Sequence, residues 1–179
     1  MKQKPITLMD PLPSRYFRGS HRPTITGLVI TPDNSLLMVR PRRAKKNGWI
    51  FPQGGFQPSE SPLQALVREL REELGYDLTA LDTDSITLLA ADTWGHPKKF
   101  YVVVAVRLTH WKAPVLNHEN SAWCTPGGPN ELWRRVAMCS ESKRRLISAA
   151  IAAAYTAKLL YTERWSVTRA RPFLQHIAE

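Results

Sequence analysis

The segment from Gly54 to Tyr76, GGFQPSESPLQALVRELREELGY, constrains this chain most, because it writes a helix with a start, a stop and two unlike faces. Ser61 with Gln64 three residues on reads as a capping box, Pro62 suits the first helical position, and Gly75 sits where a left-handed C-terminal cap belongs. The helix is therefore expected over Pro62 to Leu74. At about 100° per residue, Leu63, Leu66, Val67, Leu70 and Leu74 share one apolar stripe, and Glu69, Glu72 and Glu73 share the adjoining arc. A solvated acidic face is the ordinary reading of such a triplet. Against it, Glu69 and Glu73 are like charges at i, i+4, and only Arg68, four residues before Glu72, supplies a favourable pair. A hard divalent cation such as Mg2+ would remove the repulsion, since it takes oxygen ligands and is usually held by one or two carboxylates plus substrate phosphates.

With 179 residues and 43% apolar content, the chain suits one compact domain with its own core. The expected organisation is an N-terminal arm over 1–21, a domain over 22–161 and a C-terminal tail over 162–179. Cys124 and Cys139 are too few for a disulfide framework and lack metal-ligand neighbours at a useful spacing, so both are expected as reduced packing residues of a cytoplasmic protein. The N-terminal stretch has no apolar core of signal-peptide length. The longest apolar run, Leu146 to Tyr161, is broken by Ser148, Thr156 and Lys158, so no membrane partner is expected. Lys and Arg number 25 against 15 Asp and Glu, and the resulting charge of +10 suits a polyanionic partner.

Along the chain, Thr24 to Ile30 and Ser35 to Arg40 read as strands of a hairpin joined by the turn-forming Pro32-Asp33-Asn34. A basic loop leads to Trp49-Ile50-Phe51-Pro52-Gln53-Gly54-Gly55, whose paired glycines permit close approaches of the backbone. After the helix, Ser85 to Ala91 and Phe100 to Leu108 read as strands, with Val102-Val103-Val104 suited to burial on both faces. An irregular Pro/Gly-containing segment follows, then helices over Asn130 to Met138 and Ser140 to Tyr161. Strands and helices in this order suggest helices on both faces of a mixed sheet.

Gly54, five residues, Glu60, seven residues, Arg68-Glu69-Leu70, one residue, Glu72-Glu73, one residue and Gly75 resemble the signature of the Nudix hydrolases. The departure is Tyr76, where that family usually has an aliphatic residue. The resemblance implies a Nudix-type α/β/α sandwich with a central mixed sheet, carrying its box at 54–76. It also implies hydrolysis of a nucleoside diphosphate linked to another moiety, by a metal-activated water attacking one phosphorus. Mg2+, for which Mn2+ can substitute, is the implied cofactor, with Glu69, Glu72 and Glu73 on the metal-binding positions. Arg68 matches an arginine that orients a glutamate of the box, whereas from the residues alone it is a surface ion pair with Glu72. Gly54 and Glu60 match the loop before the helix, and Glu60 also suits the helix dipole. Family members often add a glutamate from a later loop. Glu119, in Asn117-His118-Glu119-Asn120, resembles it in position and joins Glu69, Glu72 and Glu73 as an expected metal ligand. Those four with Arg68 make up the expected catalytic set. Without the resemblance, Glu119 is a solvated loop residue and His118 simply an exposed one.

The substrate is read from the flanks of the box. Trp-x-Phe-Pro-Gln-Gly-Gly, together with Arg22-Pro23 ahead of the first strand, looks like the branch containing RNA pyrophosphohydrolases and dinucleoside polyphosphate hydrolases, although His21 stands where that branch usually has Tyr. The expected partner is a nucleotide polyphosphate, with the 5′-triphosphate end of RNA or a dinucleoside polyphosphate favoured. Substrate contacts are expected at Arg22, Arg40, Arg42, Arg43, Lys45, Lys46, Gly54 and Gly55. The alternatives are a nucleoside triphosphate or nucleotide-sugar pyrophosphatase and, from another class, a non-catalytic Nudix-fold domain that binds nucleotide or RNA. The intact box glutamates weigh against that last reading.

Overall fold

Burial of every residue in Thr24–Ile30 (β1) follows from its place in the middle of a sheet covered on both faces. The computed structural model describes residues 5–18, 22–42, 48–77, 85–94 and 99–160. Its further elements are Met38–Pro41 (β2), Gln53–Gly55 (β3), Pro62–Leu74 (α1), Ile86–Trp94 (β4), Lys99–Arg107 (β5), Asn120–Cys124 (β6), Pro129–Val136 (α2) and Glu141–Thr156 (α3). Four strands pair in the order β3-β1-β5-β4, with β1 and β5 parallel and the other pairs antiparallel. The sheet is therefore mixed, and β2 and β6 form a separate antiparallel pair.

The period-two alternation of β1 sorts the interior into two cores. Leu28 and Ile30 pack with Leu132 and Val136 of α2 and with Leu146, Ile147, Ala150, Ile151 and Ala154 of α3. Ile25 and Val29 pack with Leu66, Leu70 and Leu74 of α1. Helices thus lie on both faces of the sheet, as the α/β/α expectation has it. Val102, Val103 and Val104 of β5 are wholly buried, again because both faces are covered.

The expected hairpin is present only as its turn. Thr31 N–H donates to Ser35 O, Asn34 takes a left-handed φ of 61°, and Leu37 N–H donates to Val29 O, but pairing stops at the single bridge between Ile30 and Leu36. The chain then leaves β1, because Val39 bridges to Ile50 and β2 finds its ladder on β6. β6 itself falls in the segment expected to be irregular. α3 stops at Thr156, where Lys158 turns left-handed at φ 60°, short of the expected Tyr161, which lies outside the described residues.

Residues of the expected arm pack on the domain. Leu12 is buried, its N–H donates to Glu60 O, Leu63 N–H donates to Leu8 O, and Tyr16 stacks on Phe100 with ring centroids 4.1 Å apart. The expected C-terminal tail lies outside the described residues. Among the described residues, no helix is long and apolar enough to cross a membrane.

Candidate functional site

The box helix carries its own start and stop. Ser61 Oγ accepts from Gln64 N at 3.2 Å, Gln64 Oε1 accepts from Ser61 N at 2.9 Å, Pro62 occupies the first turn, and Gly75 closes the helix at φ 66°. These contacts set the phase of the helix, which turns Leu66, Leu70 and Leu74 into the core and leaves the glutamates on its flank. That flank is not uniform. Glu69 and Glu73 are only 8% and 6% exposed, whereas the Glu72 side chain is 55% exposed.

Arg68 organises the buried half. Its Nε and Nη2 make a forked pair with Glu60 Oε1 and Oε2 at 2.6 and 2.9 Å, its Nη1 reaches Glu69 Oε1 at 2.5 Å, and Nη2 also donates to Gly55 O at 2.9 Å. Glu72 Oε2 is the most distant of these partners, at 3.4 Å from Nη1. The planar guanidinium with its five donors suits this arrangement as an ammonium does not. The Arg68 hydrogen bond holds the Glu60 carboxyl below the usual carboxylate range against its burial, and Gln57 N–H, 2.7 Å from Glu60 Oε2, adds to the effect. Glu60, placed by sequence only in the loop before the helix, is thus the main partner of Arg68. The two are eight residues apart, and nothing in their spacing announces that the loop folds back onto the helix.

Glu69 and Glu73 are held as an incompletely compensated pair. Burial pushes the Glu69 carboxyl up, Arg68 opposes the rise, and the charges of Glu72 and Glu119 add to it. Glu73 is pushed up to about 8, by burial first and then by the charge of Glu69, with Glu119 contributing further. Gln53 N–H donates to Glu73 Oε2 at 3.2 Å and works the other way. The buried Asn120 amide faces Glu73 and also lowers its pKa, although its Nδ2 makes no hydrogen bond of regular geometry. Gly54 is required by the same cluster, since a Cβ there would sit 1.9 Å from the Glu69 carboxyl carbon.

The remaining expected residues divide. Glu119 is exposed on its loop, with its N–H on Asn117 Oδ1 at 3.0 Å, and its charge reaches both Glu69 and Glu73. Arg22 gives Nε to Phe56 O and Nη2 to Gly55 O, the latter at 2.8 Å, so much of its guanidinium is committed to the backbone after β3. Arg40 donates from Nε to Ser121 Oγ at 3.1 Å and lies 5.7 Å from the Trp49 ring centroid. The backbone N–H of Arg42 donates to Glu119 O at 2.8 Å, which ties the start of the basic loop to the Glu119 loop. Arg43, Lys45 and Lys46 lie outside the described residues. Sequence reasoning missed Arg135, whose guanidinium lies 5.0 Å from the Trp49 ring centroid and is fixed by Glu131 at 2.9 Å. A cleft of about 360 Å³ lined by Trp49, Glu131, Arg134, Arg135 and Met138 opens there, and no box carboxylate lines it.

The donor set fits a hard divalent cation. Glu69 and Glu73 offer oxygens whose mutual repulsion a cation relieves. Among the described residues, no three His, Cys, Asp or Glu side chains converge into a metal-binding cluster. A cation here would therefore take its remaining ligands from water and substrate phosphates, the coordination that Mg2+ favours.

Relatives and solved structures resemble this chain over different lengths. An RNA pyrophosphohydrolase of Halorhodospira halophila is 48% identical over 54 residues, covering 30% of this chain and 29% of that protein. An RNA pyrophosphohydrolase of Pseudomonas putida is 41% identical over 69 residues, covering 38% of this chain and 39% of its own length. These matches span well under half of the curated relatives. A solved NUDIX hydrolase from Nitrosomonas europaea aligns over 83% of this chain and 95% of its own, with a TM-score of 0.57 and 18% identity, and so shares the fold. The model of the NUDIX domain matches residues 20–135, more than half of the chain, and the chain belongs to that family.

Proposed function

We propose that this protein is a Mg2+-dependent pyrophosphohydrolase of nucleotide polyphosphates, with the 5′-triphosphate end of RNA as the favoured substrate. The observation that carries the proposal is the Arg68 fork, which binds Glu60 and Gly55 O on one side and Glu69 on the other, beside a buried Glu73. Such a fork holds a carboxylate in one orientation, as an oriented metal ligand requires. The +10 charge favours a polyanion, and the relatives named RNA pyrophosphohydrolase support RNA over a free nucleotide. The two free thiols, Cys124 and Cys139, suit a reducing, cytoplasmic setting.

Bound Mg2+ would neutralise phosphate oxygens and make water a better nucleophile. Glu69 and Glu73 would hold the cation, the first oriented by Arg68 and the second by Gln53 N–H. Glu72 and Glu119 are the carboxylates open to solvent, and we assign them the proton of the attacking water. The water oxygen bonds to phosphorus, the anhydride P–O bond breaks, and the leaving phosphate carries away the electron pair.

A panel of triphosphate-ended RNA, dinucleoside polyphosphates, nucleoside triphosphates, ADP-ribose and nucleotide sugars, each with Mg2+ and with products identified by mass, tests the reading. Conversion of the RNA end to a monophosphate is expected to be the most efficient reaction. Preferential cleavage of free nucleotides or nucleotide sugars would replace RNA as the substrate, and no cleavage of any member would end the enzymatic reading.

A further inference from the structure

On the α3 side of the sheet, two ammonium groups converge on one ring. Lys99, the first residue of β5, and Lys143, in the first turn of α3, each place Nζ 5.6 Å from the Tyr101 ring centroid. Among the described residues, neither lysine has an ion-pair partner. Burial, like charge and the helix dipole disfavour the arrangement as it stands. Burial pushes Lys143 down to about 8, with the charge of Lys99 adding to the effect, and burial lowers Lys99 as well, helped by the charge of Arg22. The start of a helix is also the positive end of its dipole, the wrong end for a cation. An aromatic face offsets only part of the cost of desolvating an ammonium.

The sheet beside the ring is polar and incompletely bonded. Thr24 pairs with Tyr101 and Thr26 with Val103 across β1 and β5, so both threonines project to the face that Tyr101 occupies. Both are about 99% buried, and neither Oγ1 has a hydrogen-bond partner. The lysine pair is also connected electrostatically to the box. Lys99 feels Arg22, which is anchored on Gly55 O, and Lys143 feels Glu73.

We propose that Lys99 and Lys143 form a second phosphate subsite, which holds a phosphate of the polyphosphate chain beyond the phosphorus under attack, with the Thr24 and Thr26 hydroxyls as neighbouring donors. A phosphate there relieves the repulsion between the two ammoniums and the dipole at the start of α3, and replaces the water both lysines have lost. The proposal rests on the pyrophosphohydrolase reading for its substrate class. The subsite itself rests on the lysine geometry.

Inorganic tripolyphosphate is the probe, titrated calorimetrically into the full chain with metal chelated. Lys143→Gln and Lys99→Gln are each expected to raise Kd about fivefold or more, with the double variant weaker than either. Lys143→Arg should restore most of the binding, and melting temperature should hold or rise as a half-buried charge is removed. Lys143→Met, which keeps the aliphatic stem, serves where the Gln variant fails to fold. Wild-type affinity in a folded Lys143→Gln or Lys143→Met protein overturns the subsite, as does a wild type that binds no tripolyphosphate. Binding that depends on Lys143 in a protein that cleaves no nucleotide leaves the subsite standing and removes the enzymatic reading. Cleavage in a protein whose binding ignores Lys143 does the reverse.

Discussion

α1 and α3 cover opposite faces of one sheet and are held there by different means. α1 is closed at both ends by its own residues, through the reciprocal Ser61 and Gln64 bonds and the left-handed Gly75. α3 has Ser140 at its N-cap with no side-chain capping bond, and just beyond its C-terminal end Leu159 O accepts from Arg107 of β5. The charges differ as well. The α1 flank carries carboxylates that are partly compensated by Arg68, while the α3 start carries a lysine set against another lysine. Partly compensated acids on the α1 flank and two lysines at the start of α3 and of β5 lie within electrostatic reach of each other, since Lys143 feels Glu73.

The acidic side is the one to break first. Glu73→Gln keeps the shape and removes a ligand charge, so turnover with Mg2+ should fall by at least ~10². Stability should move the other way in the metal-free protein. The folded-state pKa of Glu73, about 8, lies above its unfolded value of 4.5, so the folded form binds more protons between these limits and its stability falls as pH rises across them. Melting curves of metal-free Glu73→Gln should match wild type near pH 4 and exceed it at pH 8. Parallel curves at all pH values would mean that Glu73 is not the buried, unneutralised acid described here. Wild-type turnover in the variant would remove it from the catalytic set.

Arg68→Lys sharpens the comparison, because it keeps the charge and loses the fork. Lysine cannot span Glu60, Gly55 O and Glu69 together, so kcat/KM should fall about 10–100-fold while the fold survives. The structural signature is a weaker apparent affinity for Mg2+ in kinetics at limiting metal. If the variant behaves as wild type, the charge alone suffices and the geometry around Gly55 is incidental.

Glu119→Gln should have a smaller effect, about tenfold on kcat, because the residue acts from an exposed loop and Glu69 and Glu73 remain. A change in the acidic limb of the pH–rate profile would identify a proton-transfer role. His118→Ala should leave both rate and profile little changed. A Mn2+-soaked crystal with a bound substrate analogue and Glu119 remote from the metal would remove Glu119 from the site.

What could be read in advance divides along the same line. The limits of α1 were legible because capping chemistry is local: Ser61, Pro62, Gln64 and Gly75 lie within or beside the helix they delimit. β1 was legible because a seven-residue apolar and β-branched run has few other uses. β6 was not, since Asn-Ser-Ala-Trp-Cys becomes a strand only through its pairing with β2, about 80 residues earlier. The same non-local choice drew Met38–Pro41 away from the expected hairpin. Nothing in the Pro- and Arg-rich composition of the expected arm says where it packs, and the structure makes Leu12 a core residue and bonds the backbones of Leu8 and Leu12 to residues at the start of the box helix. The glutamates of the candidate site were named by spacing and resemblance. The groups that surround them, Glu60 through Arg68, the Gln53 N–H and the nearby Asn120 amide, come from three separate segments and belong to the tertiary fold.

The smallest expected effect belongs to the basic loop, whose start at Arg42 is tied by its backbone to Glu119. Phosphate contacts away from the reacting centre should help a long RNA more than a mononucleotide and should weaken as salt rises. Neutralising Arg42, Arg43, Lys45 and Lys46 together should raise KM for triphosphate-ended RNA about threefold and flatten its salt dependence, with nucleoside triphosphate turnover nearly unchanged. The lysine pair at Tyr101 predicts no such selectivity, because a subsite for the polyphosphate chain serves RNA and mononucleotide alike. Lys143→Gln should therefore raise KM for both substrates by similar factors. Equal effects of the loop variant on both substrates would place the loop against the substrate's own phosphates and leave RNA without an extended track on this surface.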